Sequence, residues 1–226
     1  MPDIAQIAIF MGLFLLVCGP VHECAHAWTA WRLGDGTAKM YGRVTLNPVA
    51  HFDPLGALMI LISSIAGFGV GWAKPTPVNP YNLRGRYAST MVSVAGPLSN
   101  LGLAMLFAIA LRVLSGSWAV QGQTFLYDPT WIGGICVILW IGVELNVMLM
   151  LFNLLPVPPL DGSHVLFDIL DPRTAAQIRP MFDQYGILLF IVLILPILPN
   201  QTSIVGVVFG HIGLPIMGLL VGAPIG

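Results

Sequence analysis

The chain has 226 residues, of which 57% are hydrophobic and only 8% charged, with a formal net charge of −1. Soluble domains carry about 25% charged residues, so this composition excludes a water-soluble globular enzyme, and the near-zero charge offers nothing to a nucleic acid. Mean hydropathy is +0.86, and about five or six spans of roughly 20 residues would use nearly the whole chain.

The first apolar stretch runs from Ile4 to Leu33. It is too long for a cleavable signal peptide and has no basic flank before it, so it reads as a retained span. Inside it stands His22-Glu23-Cys24-Ala25-His26. Positions i and i+4 share a helix face, so the two imidazoles can aim at one metal with Glu23 beside it. The pattern is short and recurs by chance in soluble proteins. At membrane depth, however, a carboxylate and two histidines are costly unless a partner repays their burial, and a metal is the simplest partner. The duller reading is that the histidines bond backbone or each other.

Next, Gly34 to Pro54 contains the alternating run Met40 to Leu46, which predicts a short membrane-surface β-strand or hairpin near residues 40–47. Leu55–Trp72 is apolar but rich in glycine at its end (Gly67, Gly69, Gly71). Lys74 to Arg86 carries Pro75, Pro77 and Pro80 and is not helical throughout. Further apolar stretches cover Tyr87–Leu114, Trp131–Leu155, Tyr185–Leu198 and Ile204–Val221. Cys18, Cys24 and Cys136 all fall in apolar segments and read as small buried hydrophobes.

Basic residues set the expected orientation. Arg32, Lys39, Arg43, Lys74, Arg84, Arg86, Arg173 and Arg179 belong to segments assigned to one side, and only Arg112 lies near the other. By the positive-inside rule that side is cytoplasmic and the N-terminus is outside. Helix 1 then ends inside at Arg32, and Lys74, Arg84 and Arg86 belong inside too. Leu55–Trp72 is therefore expected to dip in and return as a re-entrant element. Such backbone is tolerated only beside protein or a water-filled cavity. A full crossing with those residues outside is the alternative. The expected fold is an all-α polytopic membrane protein: about five transmembrane helices, the re-entrant element and the surface strand, in one membrane-embedded domain. A core covers about residues 4–171, followed by C-terminal helices over about 184–222.

Two histidines do not complete a catalytic metal site, which takes three protein ligands and an open water position. Asn153-Leu-Leu-Pro156-Val-Pro158-Pro159-Leu160-Asp161-Gly162 supplies a candidate. Its prolines break the helix, and a carboxylate on an unwound segment can swing toward a metal. Under the expected topology Asp161 finishes on the same side as His22 and His26. A cap for a helix starting near Ser163 is the plainer role for Asp161.

HExxH in the first span paired with NxxPxPPLDG after a later one resembles the site-2 protease family of intramembrane zinc metalloproteases. Gly42-Arg-Val-Thr-Leu-Asn47-Pro48 with His51 and Asp53-Pro54, then Gly71-Trp-Ala-Lys-Pro75, and Ala95-Gly96-Pro97-Leu-Ser-Asn100 add to the likeness. Together they are similar to its compact bacterial branch without a PDZ domain, over roughly residues 10 to 170. The resemblance implies one Zn2+ per chain held by His22, His26 and Asp161, with Glu23 as general base. Asn153 would steady substrate or oxyanion, unless it only bonds its helix end. The strand near 40–47, which includes Val44, would pair with an unwound transmembrane segment of another protein by strand addition. His51 would touch substrate, support the site or shape a turn; Asn100 would contact substrate or pack helices. Cys24 faces away from the histidine pair, His164 stands where a basic residue is expected, and His211 reads as structural. A divalent-metal transporter is the rival, but Glu144 is the only other acidic residue deep in a span. A silent zinc scaffold is a second rival, and it gives Glu23 no purpose.

Overall fold

A computed structural model of the chain describes residues 4–65, 71–122, 130–198 and 202–223. Helix α1 covers Ile4–Arg32, α2 Thr37–Met40, α3 Pro48–His51 and α4 Pro54–Ile65. Helix α5 covers Ala88–Gly122, α6 Trp131–Asn153, α7 Asp161–Ile169 and α8 Pro172–Ile194. The last helix, α9, covers Ile204–Val221. Helices α1, α6, α8, α9 and the Ala88–Ser115 part of α5 are long and apolar enough to cross a membrane, which matches the expected five.

Two of these helices widen for one turn. In α1 the turn Phe14–Cys18 is π-helical, and the Gly19 N–H donates to Phe14 O, five residues back. Pro20 follows immediately: it has no N–H to give, and its ring crowds the carbonyl four residues earlier. Opening the preceding turn relieves that crowding. The same chemistry recurs at Phe209–Gly213, where Leu214 bonds Phe209 O just ahead of Pro215. The widened turn of α1 ends four residues before His22.

Two apolar clusters hold the bundle together. One joins α5, α6 and α9 through Ala104, Leu111, Val143 and Met217. The other sets Phe14 and Cys18 of α1 against Ile60 of α4 and Leu145 of α6. Arg112 of α5 donates to Val221 O, 3.0 Å away, so α9 ends beside the far part of α5.

Residues 40–47 correct the expectation of a strand. The α2 helix runs to Met40, Gly42 turns the chain with φ +68°, and no strand forms among the described residues. Arg43 is the one buried side chain of the run, its guanidinium donating to the carbonyls of Ala50, Lys74 and Pro75. Part of the expected re-entrant element, residues 66–70, lies outside the described residues. On either side of it α4 and residues 71–74 lie together. Trp72 O sits where a Cβ on Gly56 would be 2.0 Å away, and Lys74 N donates to His51 O at 2.8 Å. The expected span Tyr185–Leu198 is also revised. Its helix begins earlier, at Pro172, because Asp171 accepts from the N–H groups of Arg173 and Thr174 and forms an N-cap before a proline at the first helical position.

Candidate metal centre

Three side chains from distant parts of the sequence converge on the wall of one cavity. His22 and His26 come from successive turns of α1, and Asp161 is the first residue of α7. Their Nε2 atoms are 3.0 Å apart, and Asp161 Oδ2 lies 3.2 Å from one and 3.3 Å from the other. Asp161 does not cap α7 through its side chain. It reaches the histidines because the proline-broken stretch after α6 packs tightly: a Cβ on Gly162 would lie 2.3 Å from Leu154 O. Gly162→Ala is therefore expected to push α7 outward and cost about 1–3 kcal/mol of stability, read as a lower melting temperature of the purified chain.

The outer face of each imidazole is already bonded. His26 Nδ1 lies 2.7 Å from Val92 O, a carbonyl that can only accept, and His22 Nδ1 lies 2.6 Å from Asn100 Oδ1. With Nδ1 donating in both rings, both Nε2 atoms present lone pairs to the centre. Asp161 Oδ2, buried and without a hydrogen-bond partner, adds another.

Three lone pairs facing one point repel unless a cation sits among them. Ligands about 2.1 Å from a tetrahedral zinc stand about 3.4 Å from one another, close to the spacings here. Two imidazole nitrogens and a carboxylate oxygen with an open fourth side form a donor set of the catalytic-zinc kind. Gly96 of α5 keeps the centre clear, since a Cβ there would lie 2.3 Å from His26 Nε2 and 2.6 Å from His22 Nε2. These residues fit a zinc ion.

The family model for Peptidase family M50 matches residues 9–197. The chain belongs to this family, the site-2 proteases. Among its relatives is the Bacillus subtilis protein named "Putative zinc metalloprotease YwhC", 39% identical over 185 residues that cover 81% of this chain and 79% of that protein. Proteins named "Putative zinc metalloprotease Rip2" from Mycolicibacterium smegmatis and Mycobacterium tuberculosis are each 32% identical. The matches cover 82% and 84% of this chain and 69% and 67% of those proteins. No solved structure matches it.

The remaining candidates of this site-2 protease chain fall into distinct places. Glu23 lines the cavity with the histidines, its Oε2 accepting the Thr76 N–H at 2.7 Å while Thr76 Oγ1 donates to Glu23 O at 3.0 Å. Asn153 also lines the cavity, and its Nδ2 donates to Leu149 O one turn back. Asn100 does not line the cavity: it is fully buried, with its Oδ1 2.6 Å from His22 Nδ1. His51 is likewise away from the cavity wall, buried with Nε2 2.8 Å from Thr45 O, as a turn residue would be. Burial lowers its pKa. Val44 is half-buried in the turn after Gly42 and does not line the cavity. His164 lines it, and His211 Nδ1 bonds Val207 O within α9.

Residues that the sequence did not single out complete the surroundings. Thr76 sits on a non-helical segment fastened by Arg43 on one side and by Asp35 on the other, which accepts from the Asn79 N–H and the Asn82 amide. Asn146, on α6, bonds Asn100. The prolines of residues 75–80 signalled extended chain here; nothing local signalled its contact with Glu23.

Proposed function

We propose that the chain is an intramembrane zinc metalloprotease that hydrolyses peptide bonds in or near transmembrane segments of other membrane proteins. The observation that carries this reading is the meeting of three potential ligand atoms, from His22, His26 and Asp161, beside Glu23, on an apolar-walled cavity of about 1030 Å³ in a bundle of membrane-length helices. His22, His26 and Asp161 would hold one Zn2+. When bound, zinc supplies a water acidified to a pKa of about 7 and a positive charge for the scissile carbonyl.

The chain's own residues do the rest. Glu23 takes the proton of the attacking water and returns it to the leaving amine. The Thr76 N–H holds the Glu23 carboxylate in place. Asn153, on the cavity wall, steadies the substrate or its developing oxyanion. A substrate helix must unwind to offer its carbonyls, so glycine or proline near the bond favours cleavage. Leu55–Trp72 acts as a re-entrant element, a reading supported by the packing of Trp72 on Gly56 and of Lys74 on His51. The positive-inside distribution supports an external N-terminus and an active site toward the cytoplasm, in the cell membrane.

Metal removal tests this reading. The purified chain, incubated with a single-span membrane protein that it cleaves, is expected to lose activity in a zinc chelator and regain it with zinc but not magnesium. Cleavage that persists after zinc is stripped would sink it.

A further inference from the structure

Behind the metal centre, away from the cavity, lies a chain of buried amides that no part of the reaction uses. His22 Nδ1 bonds Asn100 Oδ1 at 2.6 Å, Asn100 Nδ2 donates to Asn146 Oδ1 at 2.9 Å, and Asn146 Nδ2 donates to Gly142 O at 2.8 Å and to Cys18 Sγ at 3.2 Å. Both asparagines are fully buried, in α5 and α6 respectively.

The chain has a direction, and Gly142 sets it. A backbone carbonyl only accepts, so Asn146 must turn its NH2 group toward Gly142 O. Its Oδ1 then faces Asn100, which must answer with its own NH2. That leaves Asn100 Oδ1 facing His22, so Nδ1 must carry the ring proton and Nε2 must present a lone pair to the centre. Reversing either amide sets two donors or two acceptors face to face in a buried site, which leaves polar groups unsatisfied. We propose that Asn146 is a positioning residue for the metal centre: through Asn100 it fixes the tautomer and ring orientation of His22. This rests on the zinc-protease reading above. The device suits its setting, because no solvent reaches this side of His22 to choose the tautomer instead.

Zinc affinity of the full-length purified chain, measured by competition with a chromogenic chelator, tests the proposal alongside melting temperature. Partners behind a metal ligand typically account for about 10–100-fold in affinity. Asn146→Ala is expected to weaken zinc about tenfold, and Asn100→Ala by at least as much. Because the two act in series, the double variant is expected to match Asn100→Ala within about twofold rather than multiply the losses. Asn146→Asp provides the rescue and a second route should Asn146→Ala fail to accumulate. Buried and therefore protonated, it donates to Gly142 O and accepts from Asn100 as asparagine does, and it is expected to stay within about threefold of wild type. Unchanged affinity in Asn146→Ala, multiplying losses, or an Asn146→Asp as weak as Asn146→Ala would each overturn the proposal. Asp161→Ala separates the two levels: if the wild type binds no zinc, or Asp161→Ala binds it equally well, the underlying site reading falls and this one with it.

Discussion

Replacing Gly96 by alanine is expected to abolish zinc binding while leaving the helices intact. The added methyl would lie 2.3 Å from His26 Nε2 and 2.6 Å from His22 Nε2, the faces that look into the centre. Neither ring can retreat, because His26 is tied to Val92 O and His22 to Asn100. The substitution otherwise favours the helix, since alanine is about 1 kcal/mol better than glycine in a helix interior. A loss of metal therefore cannot be put down to unravelling of α5. The expected fall in affinity exceeds the roughly 100-fold that a partner behind a ligand can cost. Elemental analysis of the purified protein gives the zinc content, and circular dichroism the helix content. Stoichiometric zinc in Gly96→Ala would show that the histidines do not use these faces together.

The second large effect is expected at Asp161. It contributes the only carboxylate among the three converging groups, and its Oδ2 has no other partner that would keep it there. Asp161→Ala leaves two neutral imidazoles, too few for a catalytic site with three protein ligands. Zinc is expected to fall below half-occupancy after dialysis, and cleavage to drop further than the about 10²–10⁴-fold that a positioned general base carries. Metal content and substrate cleavage, assayed on the same preparation, check both. Cleavage at the wild-type rate with bound zinc would mean that the third ligand is elsewhere.

What was legible in the sequence depended on range. His22, Glu23 and His26 announce themselves because helix geometry puts residues four apart on one face, and the proline run before Asp161 announces a break at the end of α6. The helices themselves follow from length and apolar composition. Contacts across the bundle left no local trace. Gly96 stood only as part of the family-like Ala95–Asn100 segment, yet its missing side chain makes room for two imidazoles on another helix. Asn146 carried no signal, because one amide in an apolar span looks the same whether it packs or bonds. Thr76, fifty-three positions from Glu23, was equally silent. The run from Met40 to Leu46 misled because an alternating pattern does not say whether a partner strand exists, and its apolar ends, Met40 and Leu46, stand exposed. There the inward residue is Arg43, gathering three carbonyls around a turn.

Glu23 is proposed to drive hydrolysis at a zinc held by His22, His26 and Asp161. The most direct test of that role reconstitutes wild type and Glu23→Gln in liposomes with a single-span membrane substrate and measures zinc content and cleavage rate together. Glutamine can still accept the Thr76 N–H but cannot take a proton from water. Both proteins are expected to hold one zinc, with cleavage by Glu23→Gln slower by about 10²–10⁴-fold. Equal cleavage by the two proteins, with zinc bound in both, would contradict the account.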